Sequence, residues 1–282
     1  MIWVGLTGWG DHDDLYEGIS SKDKLAMYAG HFPIVEVDSS FYAIPPERNM
    51  KKWIRETPDS FQFIVKAYQG MTGHQRGDIP YNTKKEMFLS FLQAMNPLYK
   101  ANKLAMILFQ FPPWFDCRKE NVDYIRYCRA FFEDYDVALE FRHQSWFSPS
   151  FRDQTLTYMK KDGWVHSICD EPQAGDRSIP FVPVVTKKEK TLIRIHGRNV
   201  YGWNKPVNGQ DWRDVRYLYD YNEEELTGLV ENISQISNRT DHCFVLFNNN
   251  SGGHAASNAK SFMQKIGSNY KGLAPRQLGL FD

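Results

Sequence analysis

The chain has 282 residues, 42% of them hydrophobic and 15% aromatic, enough for a core that buries about three quarters of the unfolded surface at this size, which excludes a disordered protein. Lys and Arg number 34 and Asp and Glu number 34, so the whole-molecule attraction used by non-specific nucleic-acid binders is excluded and an anionic ligand needs a local cluster of cations. Cys117, Cys128, Cys169 and Cys243 form no CxxC pair, the amino terminus is not signal-like and no apolar run is long enough to span a membrane, so reduced thiols, a cytoplasmic location and no membrane partner are expected.

Taken in order, short apolar runs fall at residues 2–7, 34–38, 61–66, 104–110, 137–142, 164–169, 192–196 and 243–248, giving eight candidate strands. Helix signals lie between them. Ser21 is a cap with Gly30 as the stop, Pro45-Pro46 opens a stretch through Glu56, and Asn82 or Thr83 precedes an amphipathic run to about Ala101. Asn121, Ser148 and Asn222 are similar starts further on. From 169 to 191 the sequence is rich in proline and has no helical period, so the sixth helix is expected to be missing or irregular. Eight strands alternating with helices favour closure into a (β/α)8 TIM barrel, an α/β fold, over an open doubly wound sheet. One domain spanning 1–270 with an extended tail at 271–282 is expected. Two connections that follow strands, 67–80 and 197–221, are enlarged, and loops of this kind build the site in such a barrel.

Side chains alternate along a strand, so residues two apart share a face. Glu36 and Asp38, Glu140 and Arg142, and Arg194 and His196 pair up in this way. Lys66 and Gln110 close the third and fourth strands, Asp170 follows the sixth and Asn248 the eighth, with Asn249 beside it. Unpaired buried charge costs several kcal/mol per ion, so acids and bases converging from nearly every strand point to a ligand pocket at the carboxyl ends of the strands. Taken alone, Glu36 is equally well explained as a buried structural partner of Arg142.

Lys66, Arg142, Arg194 and Arg198 mixed with Glu36, Glu140 and Asp170 suit a ligand that carries phosphate or carboxylate and is processed by acid–base groups. His196, within Arg194-Ile195-His196-Gly197-Arg198, is the proton-transfer candidate. Glu36, Glu140, Asp170 and His196 are thus the expected catalytic set. Asp38, Lys66, His74, Gln110, Arg142, His143, Trp146, Arg194, Arg198, Asn248 and Asn249 are the expected substrate-binding set. His74, Glu140, Asp170 and His196 could instead ligate a divalent metal, although no HxH, HExxH or DxD spacing supports one, and no cofactor is identified. GxGxxG, GxxxxGK and GxSxG are absent, which disfavours dinucleotide, P-loop and nucleophile-elbow chemistry. Trp9, Phe41, Tyr42, Trp114, Trp146 and Trp203 crowd the strand ends, where rings can stack on bases or sugars or merely pack loops.

The blocks Glu36-Val37-Asp38-Ser39-Ser40-Phe41-Tyr42, Leu108 to Pro113, Leu139 to His143 with Trp146, Arg194 to Arg198, and Phe247-Asn248-Asn249 resemble the YecE-like family, barrels described as a domain of unknown function (number 72). The resemblance spans almost the whole chain in order. It implies a TIM barrel, some members being similar in overall shape to endonuclease IV-type phosphodiesterases, and it implies no established reaction. Where that family reads Thr-His, this chain reads Thr72-Gly73-His74.

The end of the chain, Gln277-Leu278-Gly279-Leu280-Phe281, resembles the peptide by which bacterial replication and repair proteins dock on the DNA sliding clamp. Leu278, Leu280 and Phe281 would fill apolar pockets, with Gln277 hydrogen-bonded at their edge. The same residues could fold back on the barrel. The leading expectation is an enzyme, possible in the phosphodiesterase-like hydrolase class, acting on a nucleotide or nucleic-acid phosphate. A sugar or small-acid hydrolase or isomerase and a non-enzymatic ligand- or DNA-binding module are the alternatives.

Overall fold

The structure is a computed structural model that describes residues 1–16, 18–204 and 215–275. Eight parallel strands, β1 (Ile2–Thr7), β2 (Ile34–Val37), β3 (Gln62–Lys66), β4 (Leu104–Gln110), β5 (Val137–Glu140), β6 (Trp164–Asp170), β7 (Lys190–Ile195) and β8 (His242–Phe247), pair in sequence order. β8 pairs with β1 to close the barrel. Each strand lies within two residues of the run expected for it. These segments are strands buried on both faces, which is why they read as near-continuous apolar runs: all four residues of β2 and all seven of β6 are buried.

The outward face, with Val35, Val37, Phe63, Phe109, Ile193 and Val245, packs under the helices. The inward face carries a separate apolar plug of Ile34, Ile64, Met106, Leu108, Val165, Leu192, Phe244 and Leu246. The next inward positions toward the carboxyl ends are Glu36, Glu140 and Arg194, so the polar layer rests on that plug and can open only at one end. Closure also needs a close approach of β1 to β2. A β-carbon on Gly5 would stand 2.1 Å from the Ile34 carbonyl oxygen.

Helix starts follow the caps where a side chain closes an orphan amide. Thr83 accepts from Glu86 N ahead of Lys84–Lys100, and Asn222 with Glu225 forms a capping box ahead of Glu223–Ser237. Three expected starts are corrected. The first helix is Lys24–Tyr28 with Asp23 at its cap, leaving Ser21 in the preceding turn. Asn121 lies inside Lys119–Ala130, its amide turned back to the Asp116 carbonyl at 2.8 Å. Ser148 precedes Arg152–Lys161 and serves it through its carbonyl, 2.9 Å from Arg152 N.

No helix joins β6 to β7. Side chains hold that connection instead: the Glu171 carboxylate accepts from Ile179 N at 2.7 Å, and the Gln173 amide donates to the carbonyls of Glu171 and Ile179. Beyond the last helix, His254–Lys265, the chain crosses the amino-terminal face of the barrel. The Tyr270 hydroxyl donates to the Ile2 carbonyl, Ser60 Oγ donates to the Gly272 carbonyl at 3.0 Å, and Ala274 N donates to the Ala29 carbonyl at 2.9 Å. Gln277, Leu278, Leu280 and Phe281 lie outside the described residues. Among the described residues no helix is long and apolar enough to cross a membrane.

Gly5→Ala is expected to cost about 2 kcal/mol or more, because a backbone carbonyl cannot swing aside as a side chain can. An unchanged midpoint of thermal unfolding would show that the two strands tolerate separation.

Candidate active site

Arg194 stands inside the barrel and reaches two other strands. Its Nε and Nη2 donate to the two carboxylate oxygens of Glu36 at 2.8 and 2.6 Å, and its Nη1 donates to both oxygens of Glu140 at 2.9 Å. Arg142, just past β5, sets its Nη2 2.7 Å from Glu140 Oε1 and donates through Nη1 to Glu171. Ser167 Oγ donates to the remaining side of Glu140 at 2.9 Å. Each of these five charged side chains is at most 1% exposed. The partner of Glu36 is therefore Arg194; Arg142 serves Glu140 and Glu171. Charge-assisted bonds in such number are what make the burial tolerable.

The network sorts its members electrically. Burial works to raise Glu140, but Arg142 and Arg194 outweigh it and hold that carboxyl well below the usual carboxylate range. Glu36 is pushed up to about 7 by burial against the attraction of Arg194, with Asp38 adding to the rise. Glu171 is also pushed up to about 7 by burial, against Arg142. Burial, then Arg142 and Arg194, lowers His196 well below the ordinary imidazole value, so it is neutral near pH 7. Its Nε2 lies 3.0 Å from Arg142 Nη2 and 3.4 Å from Arg194 Nη1. Guanidinium groups only donate, so Nε2 accepts and the proton resides on Nδ1. The Asn248 amide, 2.8 Å from Nδ1, must then meet that proton with its oxygen.

Above this layer lies the barrel mouth. A cavity of about 630 Å³ is lined by Asp11, Asp38, Tyr42, Tyr217, Asn248 and Asn250, among others. Asp38 holds Lys66 Nζ at 3.3 Å, and that ammonium sits 4.6 Å over the Phe41 ring. Phe41 and Trp114 flank His74 edge-on at 5.0 and 5.9 Å. Gly73 takes the left-handed conformation at φ +74°, and His74 Nδ1 lies 2.8 Å from Thr72 Oγ1. Burial, then Lys66, Arg142 and Arg216, lowers His74 to about 3. The Trp203 ring packs beside both Arg142 and Arg216, 5.4 and 4.4 Å from their guanidinium carbons.

Other expected site residues serve the frame. Trp146 is 1% exposed, stacked on Phe141 at 3.9 Å, with its Nε1 donating to the Phe115 carbonyl; it is a core residue, and its expected substrate contact is corrected. The Asn249 amide is 0% exposed and ties Tyr219 O to Asn258 Oδ1, so it too braces a loop where a ligand contact was expected. His143 caps the short helix Gln144–Phe147 by accepting from Ser145 N at 3.2 Å. Gln110 ends β4 half-buried, paired through its backbone with Glu140. Asp170 forms a second cluster with Arg198, at 2.8 to 3.2 Å, and with the Tyr221 hydroxyl at 2.5 Å. Glu171, Arg216, Tyr217 and Asp11 were not picked out by periodicity, because all four lie in connections without one; only the enlargement of 197–221 pointed to the loop that carries Arg216 and Tyr217.

The metal set expected from the sequence, His74, Glu140, Asp170 and His196, does not converge. Among the described residues the group with ligand atoms within 4.8 Å of one another is Glu140, Cys169 and His196. Its donors do not fit a cation: both Glu140 oxygens and His196 Nε2 already face guanidinium hydrogens, and burial pushes the Cys169 thiol well up. A metal ion there would displace or oppose two arginines.

The family model described as "Protein of unknown function DUF72" matches residues 3–279. The chain belongs to the DUF72 family. It is 57% identical to UPF0759 protein YunF of Bacillus subtilis over 282 residues, covering 100% of both chains. It is 28% identical over 156 residues to UPF0759 protein YecE of Escherichia coli, covering 55% of this chain and 54% of that protein. Among solved structures, a DUF72 family protein from Enterococcus faecalis superposes with a TM-score of 0.91 at 39% identity, covering 99% of this chain and 100% of the other. One from Thermotoga maritima gives 0.80 at 31%, covering 95% and 100%. The YecE-like resemblance is thus shown, and these names assign no reaction.

Glu140→Gln is expected to cost about 3–5 kcal/mol, since it leaves two buried guanidinium groups undercompensated. Glu36→Gln is expected to cost less, and to recover on the wild type as pH rises from about 5 to 8. A carboxyl raised to about 7 contributes stability at low pH that is lost as pH climbs through that value, and glutamine does not titrate. Urea midpoints across this range check both statements; equal losses at all pH values would contradict the sorting.

Proposed function

We propose that this chain is an enzyme that binds a phosphate-bearing substrate in the barrel mouth and cleaves or rearranges it by acid–base chemistry. The observation that carries the reading is a group of cations at the mouth of a chain with no net charge: Lys66 Nζ sits 4.6 Å over the Phe41 ring that flanks His74, and Arg216 and Arg142 lie 4.4 and 5.4 Å from the Trp203 ring. Arg142 also keeps a buried donor, Nε, that no described residue accepts from. In this reading Lys66 and Arg216 touch the anion, while Arg142 and Arg194 act from beneath.

Glu140 and His196, first candidates for base and acid, have their oxygens and nitrogens occupied by protein partners and are fully buried. They are better suited to fixing the field than to moving a proton at the ligand. Asp38, whose side chain is 40% exposed on the cavity, is the carboxylate placed to act as base, and neutral His74 is placed to donate a hydrogen bond without carrying charge. Glu36 and Asn248 orient Arg194 and His196, and Asp170 with Arg198 braces the far side of the rim.

Calorimetric titration with inorganic phosphate tests the reading. Lys66→Ala and Arg216→Ala are each expected to weaken binding about ten-fold, the loss of one charge-assisted contact. Equal affinities in all three proteins would refute it.

For the tail we propose a separate role as a docking peptide for the DNA sliding clamp, through Gln277, Leu278, Leu280 and Phe281. What supports it is the largely apolar pattern of these four residues, which follow Gly272 and Ala274 on the amino-terminal face, the face opposite the mouth. A peptide of the last residues should bind the clamp and lose at least about ten-fold with Leu280→Ala and Phe281→Ala together; no loss excludes the role.

A further inference from the structure

Building on the phosphate reading, we infer that the substrate is a sugar monophosphate, a polyhydroxylated chain or ring with a single phosphate at one end. The mouth has two chemically opposite poles. One is cationic: Lys66 Nζ stands 3.3 Å from Asp38 and the Arg216 guanidinium 5.3 Å from the Tyr217 ring, both of them residues of the cavity wall. The other is the wall of the 630 Å³ cavity, where Asp11, Asp38, Asn248 and Asn250 present carboxylates and amides. Vicinal hydroxyls donate, and carboxylates and amide oxygens accept, so that wall matches a polyol. It also disfavours a second anion, because the Asp11 carboxylate on that wall has no cation paired with it among the described residues, whereas Asp38 is answered by Lys66. One phosphate at the cationic pole and hydroxyls at the acceptor pole is the ligand that satisfies both.

Asp38 joins the poles. It sits 3.3 Å from Lys66 Nζ and also lines the cavity, so a ligand whose phosphate engages Lys66 brings its nearest carbons alongside the Asp38 carboxylate. Tyr42 and Tyr217 add ring faces suited to the C–H side of a sugar. Trp203 is only 2% exposed and packs beside Arg142 and Arg216, so its own faces are closed to a nucleobase. The wall is fixed by backbone pairing: Leu218, next to Tyr217, bridges to Ser251, next to Asn250.

Calorimetric titrations of the full chain with ribose 5-phosphate, inorganic phosphate, free ribose and adenosine monophosphate test the inference. Ribose 5-phosphate is expected to bind about ten-fold more tightly than each of the others, the gain from added hydrogen bonds to charged acceptors. Asp11→Asn combined with Asn250→Ala, both lining the cavity, is expected to erase the preference over inorganic phosphate with the unfolding midpoint of the chain unchanged. Equal affinity for ribose 5-phosphate and inorganic phosphate in the wild type overturns the sugar inference and leaves the phosphate reading standing. Tighter binding of adenosine monophosphate overturns it in favour of a nucleotide, and free ribose binding as tightly as its phosphate overturns it in favour of a neutral sugar. Absence of binding by every phosphate compound overturns the phosphate reading itself. A preference that survives in the double variant overturns the assignment of the acceptor wall.

Discussion

A guanidinium group held between two carboxylates inside a closed barrel is expensive to build, and the rest of this structure is arranged around making it tolerable. Arg194 can leave water only because Glu36 takes two of its donors and Glu140 a third, and Glu140 is in turn tolerable only because Arg142 and Ser167 complete its oxygens. Removing any member leaves a buried charge unanswered, so the set stands as a unit. The apolar plug beneath it closes the other end of the barrel and directs any solvent or ligand contact to the carboxyl ends of the strands.

This arrangement separates two duties that a simpler site would combine. The buried layer creates the field and fixes orientation, with no atom left over for chemistry on its central carboxylate. The mouth groups, Asp38, Lys66 and His74, are less enclosed and sit within that field. A preorganised charge layer under a more accessible set of ligand-facing groups keeps the reacting groups adjustable while the electrostatics stay rigid. It also explains why neutral His196 is found at the heart of a charged network: two donors at its Nε2 leave no room for a further proton.

The irregular connection after β6 belongs to the same design. A helix there would follow the usual repeat, but Glu171 has to turn inward to Arg142 while also accepting from Ile179 N, and a loop laced by its own side chains permits both. Gly73 is a comparable local device, its left-handed backbone turning the chain where His74 packs against Phe41 and Trp114.

The strands, their inward faces and the end of the barrel that carries the site were legible in the local sequence. A strand alternates with period two, so Glu36, Glu140 and Arg194 announce their face by their apolar neighbours. Pairing inside the barrel was not legible. That Arg194 and not Arg142 meets Glu36 depends on how β7 and β2 lie across the closed sheet, which no local pattern encodes. Nor were Glu171, Arg216 and Asp11, because loops have no period to read, or the burial that turned Trp146 and Asn249 from ligand candidates into framework. The sequence by itself determined the barrel and its charged layer, since both follow from alternation along single strands. Only the tertiary structure decided which charges cancel and which face the mouth, because that is settled by contacts between residues far apart in the chain.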